Sequence, residues 1–207
     1  MQRIHWMTWV IGTGNSGTSL IYTGTPHESA SRISRIKFMI YTLSESFLED
    51  WIMSIAIKVS DFLAEHDVEY DVLTHAHTTN SDETAESSHV PGARLAKSVV
   101  LEDDQGYLMV VLPASRRLDL GELHRVLNRN LGLAMESELG HLFNDCEIGA
   151  LPALGPAYGV ETIVDDTLAE QPEVYFEAGD HEQLIHVTAE VFQTLLGEDT
   201  RHGQFSH

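Results

Sequence analysis

From Met53 onward apolar residues recur at helical spacing: Ile55, Val59, Phe62 and Leu63 fall on one face, and the run ends near Glu65-His66-Asp67, which predicts a helix. Val68, Tyr70 and Val72 then alternate with the period of a strand, and residues 78–82 supply loop and helix-cap chemistry for a short helix through Ala85. Residues 95–101 and 107–112 are β-rich runs joined by Glu102-Asp103-Asp104-Gln105-Gly106, a hairpin signature that makes these two strands antiparallel and central. Asp119 followed by Glu122 resembles a capping box; Leu120, Leu123, Val126 and Leu127 continue it as an amphipathic helix that residues 128–130 close, and a second short helix covers about 136–143. Residues 149–159, GALPALGPAYG, hold too much Gly and Pro for a helix or a central strand and predict a shaped loop. Further strands are expected over 160–164, 174–176 and 184–187, after which Thr188 caps a last helix through Leu196. Strands and helices without strict βαβ alternation predict a single α+β, or mixed α/β, domain over residues 53–197, with a mixed and largely antiparallel sheet flanked by helices. A polar, frayed tail is expected over 198–207.

Residues 1–52 differ. They are rich in Ser, Thr, Gly and Ile and sustain neither period, so the expectation is that they form no domain: they are a flexible extension, or an upstream extension of the gene model with Met53 as the natural start. Gly12-Thr13-Gly14-Asn15-Ser16-Gly17 fits the G-x-G-x-x-G pattern, but residues 22–26 break the helix that a dinucleotide fold needs directly after its glycines, so no nucleotide site is expected.

Charge sharpens the division. Residues 1–52 hold four basic and four acidic side chains, which leaves the whole formal net charge of −20 on residues 53–207. Lys58 and Lys97 are the only lysines there. Such acidity repels a polyanion at long range and excludes a role in coating nucleic acid, DNA included, while leaving room for a small local basic site. Salt adaptation of the host and plain solubility both account for it. A single cysteine, Cys146, excludes an internal disulfide framework and suits a reducing cytoplasm, and no apolar run reaches the roughly 20 residues that cross a bilayer.

Lys97 is the most informative residue. A period of two across 95–101 places it on one face with Leu95, Val99 and Leu101, where an ammonium needs an anion as partner or a path to water along its alkyl stem. Arg94, three residues earlier, is a candidate phosphate ligand. His75 and His77 would share a strand face, yet no third ligand follows at metal-site spacing, so they read as polar loop histidines, and no cofactor or metal is expected. Cys146 stands between Asp145 and Glu147, whose carboxylates disfavour a thiolate, and no G-x-S-x-G element offers a serine nucleophile. Arg116, Arg117, Arg125 and Arg129 are half of the eight basic residues after Met53; they make either a patch that guides an acceptor stem or ordinary salt bridges with Glu122 and neighbouring loops.

Four ordered stretches, HVPGARLAKSVVL, YLMVVLPASRRLDLGEL, LFNDCEIGALPALGPAYG and VYFEAGDHEQLIHV, resemble the YbaK/ProX family, which includes the editing insertion of bacterial prolyl-tRNA synthetases and freestanding deacylases of mischarged tRNA. The resemblance runs from about Met53 to Leu196. It implies a freestanding, cytoplasmic, metal-independent deacylase with the acceptor end of mischarged tRNA as its partner and no membrane association. Position by position, Lys97 matches the family's lysine at the phosphate and ribose end of the aminoacyl-adenosine. Gly149, Ala150, Leu151, Pro152, Ala153 and Gly155 match the glycine-rich loop that lines the aminoacyl pocket, and Gly179 with His181 matches the Gly-x-His turn. Ala153 stands where the related loop often has proline, with Pro152 one place earlier, which leaves the identity of the rejected amino acid open. A rival reading keeps the fold and pocket for a non-catalytic module that binds a small ligand or a partner.

Overall fold

The computed structural model describes residues 55–197 and 200–207. The expected extension over 1–52, its glycine motif and the Met53 start lie outside the described residues.

The first helix, α1 (Ile57–Glu65), buries Val59 and Leu63 as its apolar stripe requires, but it starts at Ile57; the N–H of Ala56 instead donates to Ala178 O at 2.8 Å, which ties the entry of the helix to the sheet. Strand β1 (Asp71–Thr74) begins later than the alternation of Val68 and Tyr70 suggests, because its register is set by pairing with a distant strand. Helix α2 (Ser81–Ser88) is capped by the Asn80 side chain, which accepts from Glu83 N. Strands β2 (Leu95–Asp103) and β3 (Gly106–Pro113) form the expected antiparallel hairpin. Asp119 caps α3 (Leu120–Leu127) by accepting from Glu122 N, and Asn128 closes it in the left-handed conformation. Only half of the capping box forms, since the Glu122 carboxylate holds Arg125 instead of the cap backbone. A two-residue strand, β4 (Gly132–Leu133), and α4 (Glu136–Leu142) lead into the glycine loop, which contains one 3-10 turn at Gly155–Tyr158. Then come β5 (Glu161–Asp165), the one-turn α5 (Asp166–Ala169), β6 (Glu173–Glu177), β7 (Gln183–Thr188), α6 (Ala189–Leu196) and β8 (Arg201–Gly203). Thr188 caps α6 through Val191 N.

Among the described residues the strands form one mixed sheet in the order β1-β7-β6-β2-β3-β5-β8, with β4 beside β2. The pairs β1–β7, β6–β7, β2–β3 and β2–β4 are antiparallel, while β2–β6, β3–β5 and β5–β8 are parallel. Both faces of the centre are covered, so β3 reads as a nearly continuous apolar run. Met109 and Val111 pack with α1, α6 and the glycine loop, whereas Leu108, Val110 and Leu112 pack with Leu123 of α3 and Phe205. A third, smaller cluster of Val90, Leu95, Ala114 and Leu184 lies beside Ala85 of α2.

The expectation of a frayed tail is corrected. Strand β8 pairs in parallel with β5, and Phe205 is only 2% exposed. Asp165, itself buried, accepts from Phe205 N at 3.0 Å and from Ser206 Oγ at 2.8 Å. The Phe205 ring lies across Gly203, where a built Cβ would come within 2.5 Å of it, so this close approach requires glycine.

Candidate active site

The glycine loop and the turn between β6 and β7 meet. His181 adopts a left-handed backbone (φ 60°) and its Nε2–H donates to the Ile148 carbonyl at 2.9 Å, which fixes the ring tautomer and holds the start of the loop. A Cβ on Gly149 would lie 3.2 Å from the His181 ring, and Gly149 also has positive φ (96°), so both position and conformation call for glycine. Glu147 N donates to Gly179 O at 2.8 Å and completes the junction. The structure thus brings together Gly149, Gly179 and His181. Further along, Ser98 Oγ donates to Leu151 O at 2.7 Å and pins the loop to β2.

The rest of the predicted loop sinks into the core. Ala150, Pro152, Ala153 and Gly155 are buried, and a Cβ on Gly155 would collide with Thr162 Oγ1 at 2.0 Å. Of these loop residues, Gly149 and Leu151 line an adjacent cavity of about 140 Å³, together with Leu139, Phe143, Cys146 and Ile148. Its walls are apolar, with Glu136 and Glu147 at the side.

Lys97 behaves as strand parity predicts, but it faces away from that loop. Ser98 reaches the loop on one face of β2, while Lys97 points to the other, where its half-buried ammonium donates to Ala114 O at 2.9 Å. Burial lowers its pKa, Asp82 at the first turn of α2 opposes this, and Arg117 adds to it. Arg117 is exposed and has no ion pair among the described residues, so Lys97 and Arg117 form a local cationic spot on an acidic protein.

Glu177, which sequence reasoning passed over together with Thr78 and Thr84, lies on the same face. Phe176 of β6 pairs with Ala96, so Glu177 and Lys97 are the next residues on neighbouring strands, and alternation puts both on the Leu95 and Tyr175 face. Glu177, Thr84, Thr78, His75 and His181 are all buried. Thr84 Oγ1 lies 3.1 Å from Glu177 Oε1, 2.7 Å from Thr78 Oγ1 and 3.0 Å from Asn80 O. Burial raises the Glu177 carboxyl above its ordinary range, against the pull of Thr84, His75 and His181.

Other expectations change. His75 and His77 do not share a strand face, since β1 ends at Thr74; His75 is buried and His77 exposed, its ring edge-on to His181 with centroids 5.4 Å apart. Arg94 is committed to Glu173 through an ion pair of 2.6 Å, and Glu173 also takes His186 Nε2 at 3.1 Å, so Arg94 is held by the fold in this structure. Arg125 pairs with Glu122, and Arg129 bridges Asp103 and Glu161, which makes these two arginines salt-bridge members. The Cys146 thiol is pushed up to about 11, chiefly by burial, with Asp145 adding to it; Glu147 plays no part. Among the described residues no helix is long and apolar enough to cross a membrane, and no group of three metal-ligating side chains converges.

A mixed sheet with covered faces and a glycine loop braced by a Gly-x-His turn define the class, and solved structures share this fold. A candidate trans-editing enzyme for prolyl tRNA synthetase matches with a TM-score of 0.64 at 23% identity, over 73% of this chain and 96% of that one. The hypothetical protein APE2540 matches with 0.63 at 20% identity, over 72% and 99%. A candidate signal transduction protein from Marinobacter aquaeolei VT8 matches with 0.59 at 24% identity over 72% of this chain but 30% of that one, so there the fold is one part of a larger protein. No curated protein matches the chain. The chain belongs to the aminoacyl-tRNA editing domain family, whose model matches residues 75–195. An editing role with tRNA as partner follows from that membership.

Proposed function

We propose that the protein is a freestanding deacylase of the YbaK/ProX kind, hydrolysing the ester of mischarged tRNA in the cytoplasm. The observation that carries this reading, beside the family, is the half-buried Lys97, an ammonium that among the described residues is held by one carbonyl and no carboxylate at hydrogen-bonding distance, next to Arg117, which has no ion pair among them. A cation kept in this state has charge to spare for a phosphate or ribose oxygen. Arg117 replaces Arg94 as the second cation, because Arg94 is neutralised by Glu173.

Ester hydrolysis needs a positioned water and donors where the oxyanion develops. In this reading the exposed Gly149 segment offers backbone N–H groups, and His181 acts through Ile148 to hold that segment in place. The neighbouring cavity, about 140 Å³ and apolar, takes a small or medium apolar aminoacyl side chain. Cys146 is no nucleophile, since a thiol raised to about 11 is almost wholly protonated at neutral pH.

Screening deacylation across a set of mischarged tRNAs tests the proposal. Turnover is expected on at least one tRNA charged with a small apolar amino acid. Binding without turnover on any of them would leave the fold as a ligand- or partner-binding module.

A further inference from the structure

Two buried polar atoms, Glu177 Oε2 and His75 Nε2, have no hydrogen-bond partner among the described residues. Buried polar atoms are ordinarily paired, so each of these calls for a partner, and His75 is among the groups that act on Glu177. Their chemistry is determined by their neighbours. His75 Nδ1–H donates to Ala76 O at 2.8 Å, so in the neutral ring Nε2 carries a lone pair and accepts. Glu177 Oε1 is engaged by Thr84, which leaves Oε2 as a second acceptor.

The threonines make the carboxyl able to change protonation state in place. Thr84 Oγ1 has one proton and three oxygens within reach. With Glu177 ionised, that proton goes to Oε1. When Oε2 takes up a proton, Oε1 stays an acceptor and keeps the Thr84 bond, while Thr78 donates to Thr84 in both cases. No side chain has to move as the carboxyl gains or loses its proton.

We propose that Glu177 is a catalytic residue, the general base that takes a proton from the hydrolytic water, and that His75 is a positioning residue which holds the same water through Nε2. The proposal rests on the deacylase reading above and adds a proton acceptor to it. Glu177 lies on the strand beside Lys97, and its other neighbour, His181, holds the start of the glycine loop, so the carboxyl stands between the two parts of the site. Both unpartnered atoms are acceptors and both are closed in, which fits a molecule the size of water better than a bulky cation. The titratable groups acting on Glu177 are His75, His181 and Asp180. Burial holds its carboxyl above the usual range, towards the working pH of a base.

In the step itself, the water oxygen bonds to the ester carbonyl carbon as Glu177 takes its proton. The bond from that carbon to the ribose oxygen then breaks, and the proton passes from Glu177 to the ribose oxygen. Amino acid and tRNA are the products.

The test uses the full chain with Glu177→Gln, on whichever mischarged tRNA the wild type deacylates, with kcat, KM and melting temperature measured across pH. For the wild type the rate should fall as pH drops through a carboxyl pKa above the ordinary glutamate range. For Glu177→Gln, kcat should fall by roughly 10²–10⁴-fold, with KM and melting temperature little changed and the acidic limb lost. Retained kcat, or an effect on KM alone, overturns the proposal while leaving the deacylase reading intact. A wild type that rejects N-acetylated aminoacyl-tRNA, paired with a glutamine variant that accepts it, would make Glu177 the receptor for the α-ammonium and overturn it too. If Glu177→Gln does not fold, the wild-type profile decides, because absence of the acidic limb is incompatible with a carboxyl base. Failure of the wild type on every tRNA overturns the deacylase reading and this proposal together.

Discussion

At the scale of single residues, Lys97 and Glu177 show how alike two strand positions are and how differently they can be read. Lys97 stands out within LAKSVVL because an ammonium among apolar residues is conspicuous, and the structure places it on the face that alternation predicts. Substitution by alanine should leave folding intact, since the only hydrogen bond of its ammonium among the described residues is to a carbonyl at 2.9 Å and its side chain is only half-buried. Deacylation should drop by ~10-fold to 150-fold, the equivalent of the roughly 1.5–3 kcal/mol that a charge-assisted hydrogen bond contributes. Lys97→Arg should rescue poorly, because a planar fork does not fit where a point charge is held. Full activity in Lys97→Ala would move the phosphate site elsewhere. Glu177 attracts no such notice in EVYFE, where a glutamate at a strand end ordinarily reaches water; it is buried because α2 brings Thr84 over it.

At the scale of elements, local signals worked where local physics decides. Asp119, Asn128 and Thr188 cap helices as side chains of their type do, and the β2–β3 hairpin turns where Gly106 permits positive φ. Strand β8 had no local signal, since a parallel pairing with β5 depends on residues about forty positions away. Its docking is testable. Phe205→Ala should cost about 3 kcal/mol, at the low end for a buried aromatic because the tail can detach instead of leaving a cavity. Removal of residues 200–207 should cost about as much. Asp165 gives this docking a pH dependence. Burial raises its pKa, but hydrogen bonds from Thr167, Ser206 and Phe205 together outweigh burial and hold the carboxyl below its usual value. A depressed carboxyl stabilises the fold above its unfolded pKa and loses that contribution as pH falls through the folded one, so acid should release the tail. Unchanged melting temperatures in Phe205→Ala would show that the tail contributes nothing to stability.

At the scale of the whole molecule, the formal net charge of −20 opposes compaction and repels tRNA at long range. Molar sodium chloride, where the Debye length is about 3 Å, should screen the self-repulsion and raise the melting temperature. Substrate affinity should respond differently, because the cationic spot at Lys97 and Arg117 is itself weakened by salt while the general repulsion is relieved. A melting temperature that is flat or falls with salt would remove self-repulsion as a factor in stability.

Hydrophobic periodicity, caps and turn residues by themselves determined the mixed α/β class, the central hairpin and the helices after Asp119 and Thr188, because each depends on residues within a few positions of one another. They also singled out Lys97 and the glycine loop, while the Gly-x-His turn came from the family resemblance. Long-range pairing and cover decided the rest: which face of β2 meets the loop, which loop residues line a cavity and which are buried, and whether an arginine is free. Arg94 and Arg117 are both basic loop residues in the sequence, yet Glu173, 79 positions away, neutralises the first, while the second has no ion pair among the described residues. Burial of Glu177 and His75 was decided in the same way, since the environment of a polar side chain comes from segments that only the folded chain brings beside it.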